Sequence, residues 1–274
     1  MATPTRQIYA VGIAGLGAIG GAVSRRLAAG IPGLRLEAVA VRDAAKAKAW
    51  LAAHRIEADI VPLAELPRRS DVVVECLPPA RFGEIAAPVI EAGKIFVPLS
   101  VGTLLAHIDL IERARETGAR ILVPTGALLG LDAVRAAAEG EIRSVRMVTR
   151  KPPKGLEGAP HLVANNISVA GLTAPLRVFS GTAREGAHGF PANVNVAAAL
   201  SLAGIGADAT QLEIWADPAA TRNMHTIEVD SDSARFTMTI EGIPMPENPR
   251  TGKLTALSVI ALLRGLTATM RIGS

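Results

Sequence analysis

The sequence predicts an α/β protein in two parts: an N-terminal doubly wound parallel sheet over residues 1–130, and an α+β domain with a mixed or antiparallel sheet over 131–248. A last segment, 249–274, carries a helix expected to pack back on the first part. Three observations support this. From residue 8 to about 124, short apolar runs alternate with amphipathic or Ala-rich segments, the pattern of βαβ units. A glycine-rich turn stands at the first junction between run and helix. After Gly130 the texture changes, and strand-like segments follow one another more closely.

The first strand is 8–14, a short apolar run, and the helix after it spans 18–29, with Arg25 and Arg26 set against apolar neighbours at helical spacing. Between them stands Gly15-Leu16-Gly17-Ala18-Ile19-Gly20. In such a turn the first glycine permits the bend, the second admits a pyrophosphate to backbone N–H groups, and the third lets helix pack on strand. The phosphates then meet the positive end of the helix dipole. Gly15, Gly17, Ala18, Ile19 and Gly20 are therefore candidate cofactor-binding residues in a Rossmann-type turn. The second strand, 34–41, runs into Arg42-Asp43 about 20 residues past the third glycine, where both dinucleotide forms stay open. Asp43 suits the ribose 2′-hydroxyl of NAD, and Arg42 suits the 2′-phosphate of NADP. A plain solvated turn pair is the alternative.

Further strands are expected at 71–77, 94–99 and 120–124, and helices at 43–53, 80–92 and 105–117. Right-handed crossovers collect ligands outside the carboxyl ends of such strands. Those ends carry Leu77-Pro78-Pro79, Ser100-Val101-Gly102-Thr103 and Pro124-Thr125-Gly126-Ala127, short loops suited to a flat cofactor ring. Leu77, Pro78 and Ser100 join the cofactor candidates, and Thr125 is a candidate on the substrate side.

In the second part, strands are expected at 142–150, 176–183, 210–216, 224–230 and 234–242, with helices at 159–170 and 193–204. The strands at 224–230 and 234–242, joined by Asp230-Ser231-Asp232-Ser233, read as a hairpin, one face packed and the other a plausible oligomer interface. A final helix spans about 252–268. With no repeats or low-complexity linkers, the two domains are expected to be held closely around a cleft.

The chain has 274 residues, 49% of them apolar and 20% charged, which excludes a disordered protein. A net charge of +4 with scattered basic residues argues against nucleic acid as a partner. One cysteine, Cys76, allows neither a disulfide framework nor a cysteine metal site, and reads as a small buried apolar residue. No run reaches the length of a membrane span, and Met1-Ala2-Thr3-Pro4 starts no signal peptide, so a soluble cytoplasmic protein is expected, with neither metal nor membrane.

Among the five histidines, His54 and His107 fall in first-domain helices, His161 opens a helix and His188 precedes a loop. His225 stands where polar residues concentrate at the start of a strand, and position makes it the first choice for proton exchange. Asn193 and Asn195 open an Ala-rich helix; one suits an N-cap, and the other's amide suits the carboxamide of a nicotinamide ring. Arg150-Lys151-Pro152-Pro153 ends a strand with two cations fixed by prolines, suiting an anionic substrate or, equally, a solvated turn.

Taken together, these residues resemble the L-aspartate dehydrogenase family along nearly the whole chain. The resemblance rests on the glycine turn, Pro124-Thr125-Gly126-Ala127 with Gly130-Leu131-Asp132, Arg150-Lys151-Pro152-Pro153, Asn193-Val194-Asn195-Val196-Ala197-Ala198, Ala216-Asp217-Pro218 with Asn223 and His225, and Asn248-Pro249-Arg250-Thr251-Gly252. It implies His225 as the active-site residue, with Ala127 and an asparagine of the Asn193/Asn195 pair, here taken as Asn195, contacting NAD. The substrate would be a dicarboxylic amino acid, with Lys151, Asn193 and Thr125 on its side of the site. The implied reaction is reversible NAD- or NADP-linked deamination of L-aspartate through iminosuccinate, which can feed NAD biosynthesis; the sheet of the 224–230 and 234–242 hairpin separately leads to the expectation of a homodimer or higher homo-oligomer. Glu241-Gly242-Ile243-Pro244 stands where an asparagine-containing turn is expected, so the substrate lining can differ. A related imine or semialdehyde reductase and a non-catalytic NAD(P)-sensing protein are the competing readings.

Overall fold

The computed structural model describes residues 8–191 and 194–273, and they form two compact units. The first gathers the described residues up to Ser100 with His107–Pro124 and Thr255–Arg271; the second gathers Val101–Ala106, Thr125–Leu254 and the last residues from Ile272.

In the first unit, strands β1 (Tyr9–Ala14), β2 (Leu34–Ala40), β3 (Asp59–Ile60), β4 (Val72–Glu75), β5 (Ile95–Pro98) and β6 (Arg120–Ile121) form one sheet in the order β3-β2-β1-β4-β5-β6. All its pairings are parallel. Helices α1 (Ala18–Ala28), α2 (Ala44–Ala53), α3 (Leu66–Arg69) and α4 (Phe82–Glu91) lie between strands. A parallel strand covered on both faces must be apolar throughout, and the central strands comply: Val11, Ile13, Val72 and Val74 are completely buried. They pack with Val23 and Leu27 of α1 and with Val259 and Leu263 from the last helix, joining the two ends of the chain in one core. The strand order reverses between β1 and β4, which makes the carboxyl ends of these two strands the topological switch point.

Beyond β5 come α5 (Val101–Leu104), clustered with the second unit, and α6 (Asp109–Thr117), which returns to the first. The helix expected at 105–117 is thus a 3₁₀ turn at Leu105–His107 followed by α6, and α5 precedes that range as a separate short helix. Gly118, at φ 75°, ends α6 in the left-handed conformation that glycine adopts without strain.

The second unit contains α7 (Leu131–Ala137), β7 (Ile142–Lys151), α8 (Pro160–Ala164), β8 (Leu176–Thr182), α9 (Ala183–Gly189), α10 (Asn195–Ala203), β9 (Gln211–Ala216), β10 (Met224–Ser231) and β11 (Arg235–Glu241). Its sheet runs β11-β10-β7-β9-β8 and is mixed, since β7 and β9 are parallel and the other pairs antiparallel. The expected hairpin is present, Met224 opposite Glu241 and Asp230 opposite Arg235.

The helix expected over 159–170 stops at Ala164. Asn165 turns its amide back on the His161 carbonyl at 2.8 Å, and Asn166 takes φ 52°, a left-handed position that asparagine tolerates better than most residues. A small hairpin of β12 (Pro244–Met245) and β13 (Asn248–Gly252) precedes the last helix, α11 (Lys253–Thr267). Among the described residues, no helix is long and apolar enough to cross a membrane, and no cluster of acidic, histidine or cysteine side chains could hold a metal.

Candidate active site

The glycines after β1 carry different duties. Gly15 sits at φ +101°, and a Cβ there would stand 2.7 Å from the Cys76 carbonyl oxygen. At Gly20 a Cβ would stand 1.9 Å from the Gly15 carbonyl, so both positions are dictated by the protein's own packing. Gly17 is not: an added Cβ meets nothing within 4 Å. It is exposed, serves as N-cap of α1 without a side-chain cap, and no acidic residue stands in the first turn. Ala18 and Ile19 follow as the first helical residues, where N–H groups lack partners within the helix. An open cradle with donors and a favourable dipole fits a dinucleotide pyrophosphate.

At the end of β2, Arg42 and Asp43 are both exposed. Asp43 is the N-cap of α2 and accepts from the Lys46 N–H at 2.9 Å through Oδ1, leaving its second oxygen for a ribose hydroxyl.

Across the switch point, the last residue of β4 is a completely buried carboxylate, Glu75. Its Oε1 accepts from the Leu77 N–H at 2.8 Å and the Ser100 hydroxyl at 3.1 Å. Oε2 accepts from the N–H groups of Ser100 at 2.9 Å and Leu99 at 3.2 Å. Burial raises the Glu75 pKa against these hydrogen bonds, which each lower it. The Ser100 side chain is therefore engaged with Glu75, while Pro78 is exposed and Leu77 half-buried.

In the second unit, strand alternation assembles a polar group at one end of an apolar row. On β7, Val145, Met147, Thr149 and Lys151 face inward; on β10, Val229, Ile227 and His225 do. Thr149 lies opposite His225 in the ladder, and its Oγ1 is 3.1 Å from His225 Nδ1. His225 is 3% exposed, and burial, with the neighbouring Lys151 charge adding to it, pushes its pKa down to about 3, so the ring is neutral at pH 7. Lys151, 6% exposed, is pushed down to about 8 by burial.

Arg150 goes the other way. It lies over the Trp215 ring at 4.8 Å on the outer face, 3.6 Å from Asp217, so the strand sends the two adjacent cations to opposite faces, Lys151 to the one that carries His225.

Asn195 is the first residue of α10, whose N-cap is Val194, so it does not cap the helix. Its Oδ1 instead accepts from the Gly102 N–H of α5 at 2.9 Å. Asn193 lies outside the described residues. Ala127 is half-buried beside the exposed Thr125. The other histidines are engaged elsewhere: His54 stacks on Trp50, His107 on Phe82, His161 packs against Phe179 and Phe190, and His188 Nδ1 contacts the Arg184 carbonyl.

Sequence reading missed Glu75 and Thr149. Each carries the same signal, a polar residue at a position whose neighbours in the strand are buried: Glu75 ends Val72-Val73-Val74, and Thr149 keeps step with Val145 and Met147.

A doubly wound sheet whose first turn is an open glycine-rich N-terminus, and a second unit whose mixed sheet buries a histidine and a lysine, are the parts of a nicotinamide-dinucleotide dehydrogenase. Residues 15–124 match the model of the homoserine dehydrogenase NAD-binding domain, and residues 132–266 match the aspartate dehydrogenase C-terminal domain. The chain belongs to the L-aspartate dehydrogenase family. It is 55% identical over 271 residues to L-aspartate dehydrogenase 3 of Bordetella bronchiseptica, covering 98% of this chain and 99% of that one. It is 56% identical to L-aspartate dehydrogenase of Bradyrhizobium diazoefficiens, covering 96% and 94%. The crystal structure of aspartate dehydrogenase from Thermotoga maritima shares the fold at 24% identity, with a TM-score of 0.74 over 97% of this chain and 99% of that one.

Proposed function

We propose that this enzyme oxidises L-aspartate with NAD or NADP, giving iminosuccinate and then oxaloacetate and ammonium, and runs in reverse as a reductive amination. A nicotinamide dinucleotide, when bound, would supply the hydride acceptor for the substrate Cα. The observation that carries the reading is the buried group of His225, Thr149 and Lys151 on one sheet face.

Lys151, cationic at pH 7, supplies a charge for a substrate carboxylate. His225, neutral at pH 7, has a ring nitrogen able to accept a proton from the substrate ammonium or from the water that hydrolyses the imine. Two carboxylates arriving beside it supply negative charge that raises its pKa toward the working range. Thr125 and Asn193 are the further substrate-side residues. Gly15, Gly17, Ala18, Ile19 and Gly20 take the pyrophosphate, and Leu77, Pro78, Ser100, Ala127 and Asn195 the nicotinamide half. Asp43 favours NAD, and Arg42 admits NADP.

A homodimer or higher oligomer in the cytoplasm completes the reading. The outer sheet face supports it: Arg146 pairs with Glu213 and Glu228, and the half-exposed Trp215 donates its Nε1–H to Glu213, a mixture of charge and aromatic surface suited to a second copy. The test is absorbance at 340 nm with L-aspartate and each cofactor, and with oxaloacetate plus ammonium in reverse. Reduction with other amino acids but not with aspartate overturns the substrate assignment.

A further inference from the structure

Glu75 is a poor investment if stability alone is considered. Burial of its charge outweighs the four hydrogen bonds it accepts, and these come from backbone N–H groups and a hydroxyl rather than from a cation. Its position explains it better. It ends β4 beside the switch point, and its donors lie in two separate segments: Leu77 follows β4, while Leu99 and Ser100 follow β5. Gly15, the first glycine of the cofactor turn, packs against the Cys76 carbonyl immediately after Glu75, so the same stretch also abuts the cradle.

We propose that Glu75 is the positioning residue of the nicotinamide half of the cofactor site, one carboxylate fixing the loops after β4 and β5 relative to each other. This rests on the dehydrogenase reading above and names a residue that acts through Leu77, Leu99 and Ser100 rather than by touching substrate.

Only a carboxylate suits the position, because all four partners donate, three of them as backbone N–H groups that cannot reverse. In Glu75→Gln the new NH₂ cannot replace Oε2, which faces two N–H groups. It can replace Oε1, where the Ser100 hydroxyl can turn round and accept. The Leu77 N–H is then left without an acceptor, and the loop after β4 is released while the loop after β5 stays held. Glu75→Asp, one methylene shorter, keeps four acceptor sites but cannot reach both loops at once.

The experiment has three readouts on the full-length protein. Amide exchange in the cofactor-free protein should quicken about tenfold or more at Leu77 in Glu75→Gln, and less at Leu99 and Ser100. Binding of NADH, followed by its fluorescence, should weaken about tenfold. Binding of ADP-ribose, which has the pyrophosphate but no nicotinamide, should stay within about twofold of wild type. Equal losses for both ligands, or no loss for either, overturn the proposal, because a general loosening of the fold would not distinguish the two halves. Should Glu75→Gln fail to fold, Glu75→Asp, which keeps the charge but cannot reach both loops, must show the same selectivity. If the wild-type protein binds neither NADH nor NADPH, the dehydrogenase reading falls together with this one; if it binds them and the variants show no selectivity, this proposal alone falls.

Discussion

Thr149 Oγ1 stands 3.1 Å from His225 Nδ1, the two residues directly opposed in the β7–β10 ladder and both buried. A hydroxyl can donate or accept, so Thr149 serves either tautomer of the ring while fixing its plane. Thr149→Val keeps the shape and removes the partner. It should cost about 1–3 kcal/mol in urea unfolding, and lower kcat about tenfold. Thr149→Ser should restore both, and a Val variant with wild-type kcat would free His225 from this dependence.

His225→Ala should lower kcat by about 10² to 10⁴ while NADH affinity survives, because proton transfer and dinucleotide binding draw on different residues. Turnover unchanged in that variant removes His225 from the chemistry.

The pH dependence of substrate binding follows from Lys151. Its folded pKa of about 8 keeps the cation, and so the affinity for carboxylate, fully present below that pH and lost as pH rises through it. KM for aspartate should therefore climb above about pH 8 while KM for the cofactor does not, and Lys151→Met should have a high, flat profile. In stability the same shift acts differently. Between about 8 and 10.5 the native state binds fewer protons than the unfolded chain, so stability from this residue rises across that window.

His225 sets an acid limit. Its pKa is 6.5 in the ordinary state and about 3 in the fold, so the native protein resists protonation. The stability this contributes is complete above about pH 6.5 and is lost as pH falls toward 3. His225→Gln, followed by urea unfolding between these limits, should depend less on pH than wild type.

The glycine turn separates folding from binding. Gly20→Ala forces a Cβ to within 1.9 Å of a backbone oxygen and should destabilise by at least about 3 kcal/mol. Gly17→Ala meets open space, so its thermal stability should stay within about 0.5 kcal/mol of wild type. NADH binding should nevertheless fall, since the methyl enters the volume kept for phosphate. Loss of stability at Gly17, or binding intact, would contradict this division.

Much of the fold was legible because its signals are local and strong. Continuous apolar runs such as Val72-Val73-Val74 and the alternation in β10 leave little choice of structure. Helix ends were less legible. Asn165 and Asn166 stop α8 through a side-chain bond and a left-handed backbone that apolar spacing does not record. In the candidate site, His225 and Lys151 stood out by residue type, but Thr149 and Glu75 did not, because their importance lies in partners brought together by strand pairing. For Asn195 the sequence suggests a cap or a cofactor contact, and its bond to Gly102, 93 positions away in the chain, is not readable from either end.

The opposed directions of Arg150 and Lys151 bear on how this gene can change. A single-codon insertion after Met147 would carry Lys151 to the outer face and turn Thr149 away from His225, while a substitution at Arg150 would leave both in place. Because β7 is paired on both sides, neither neighbour can slide to absorb the error. This strand should accept altered letters far more readily than altered length.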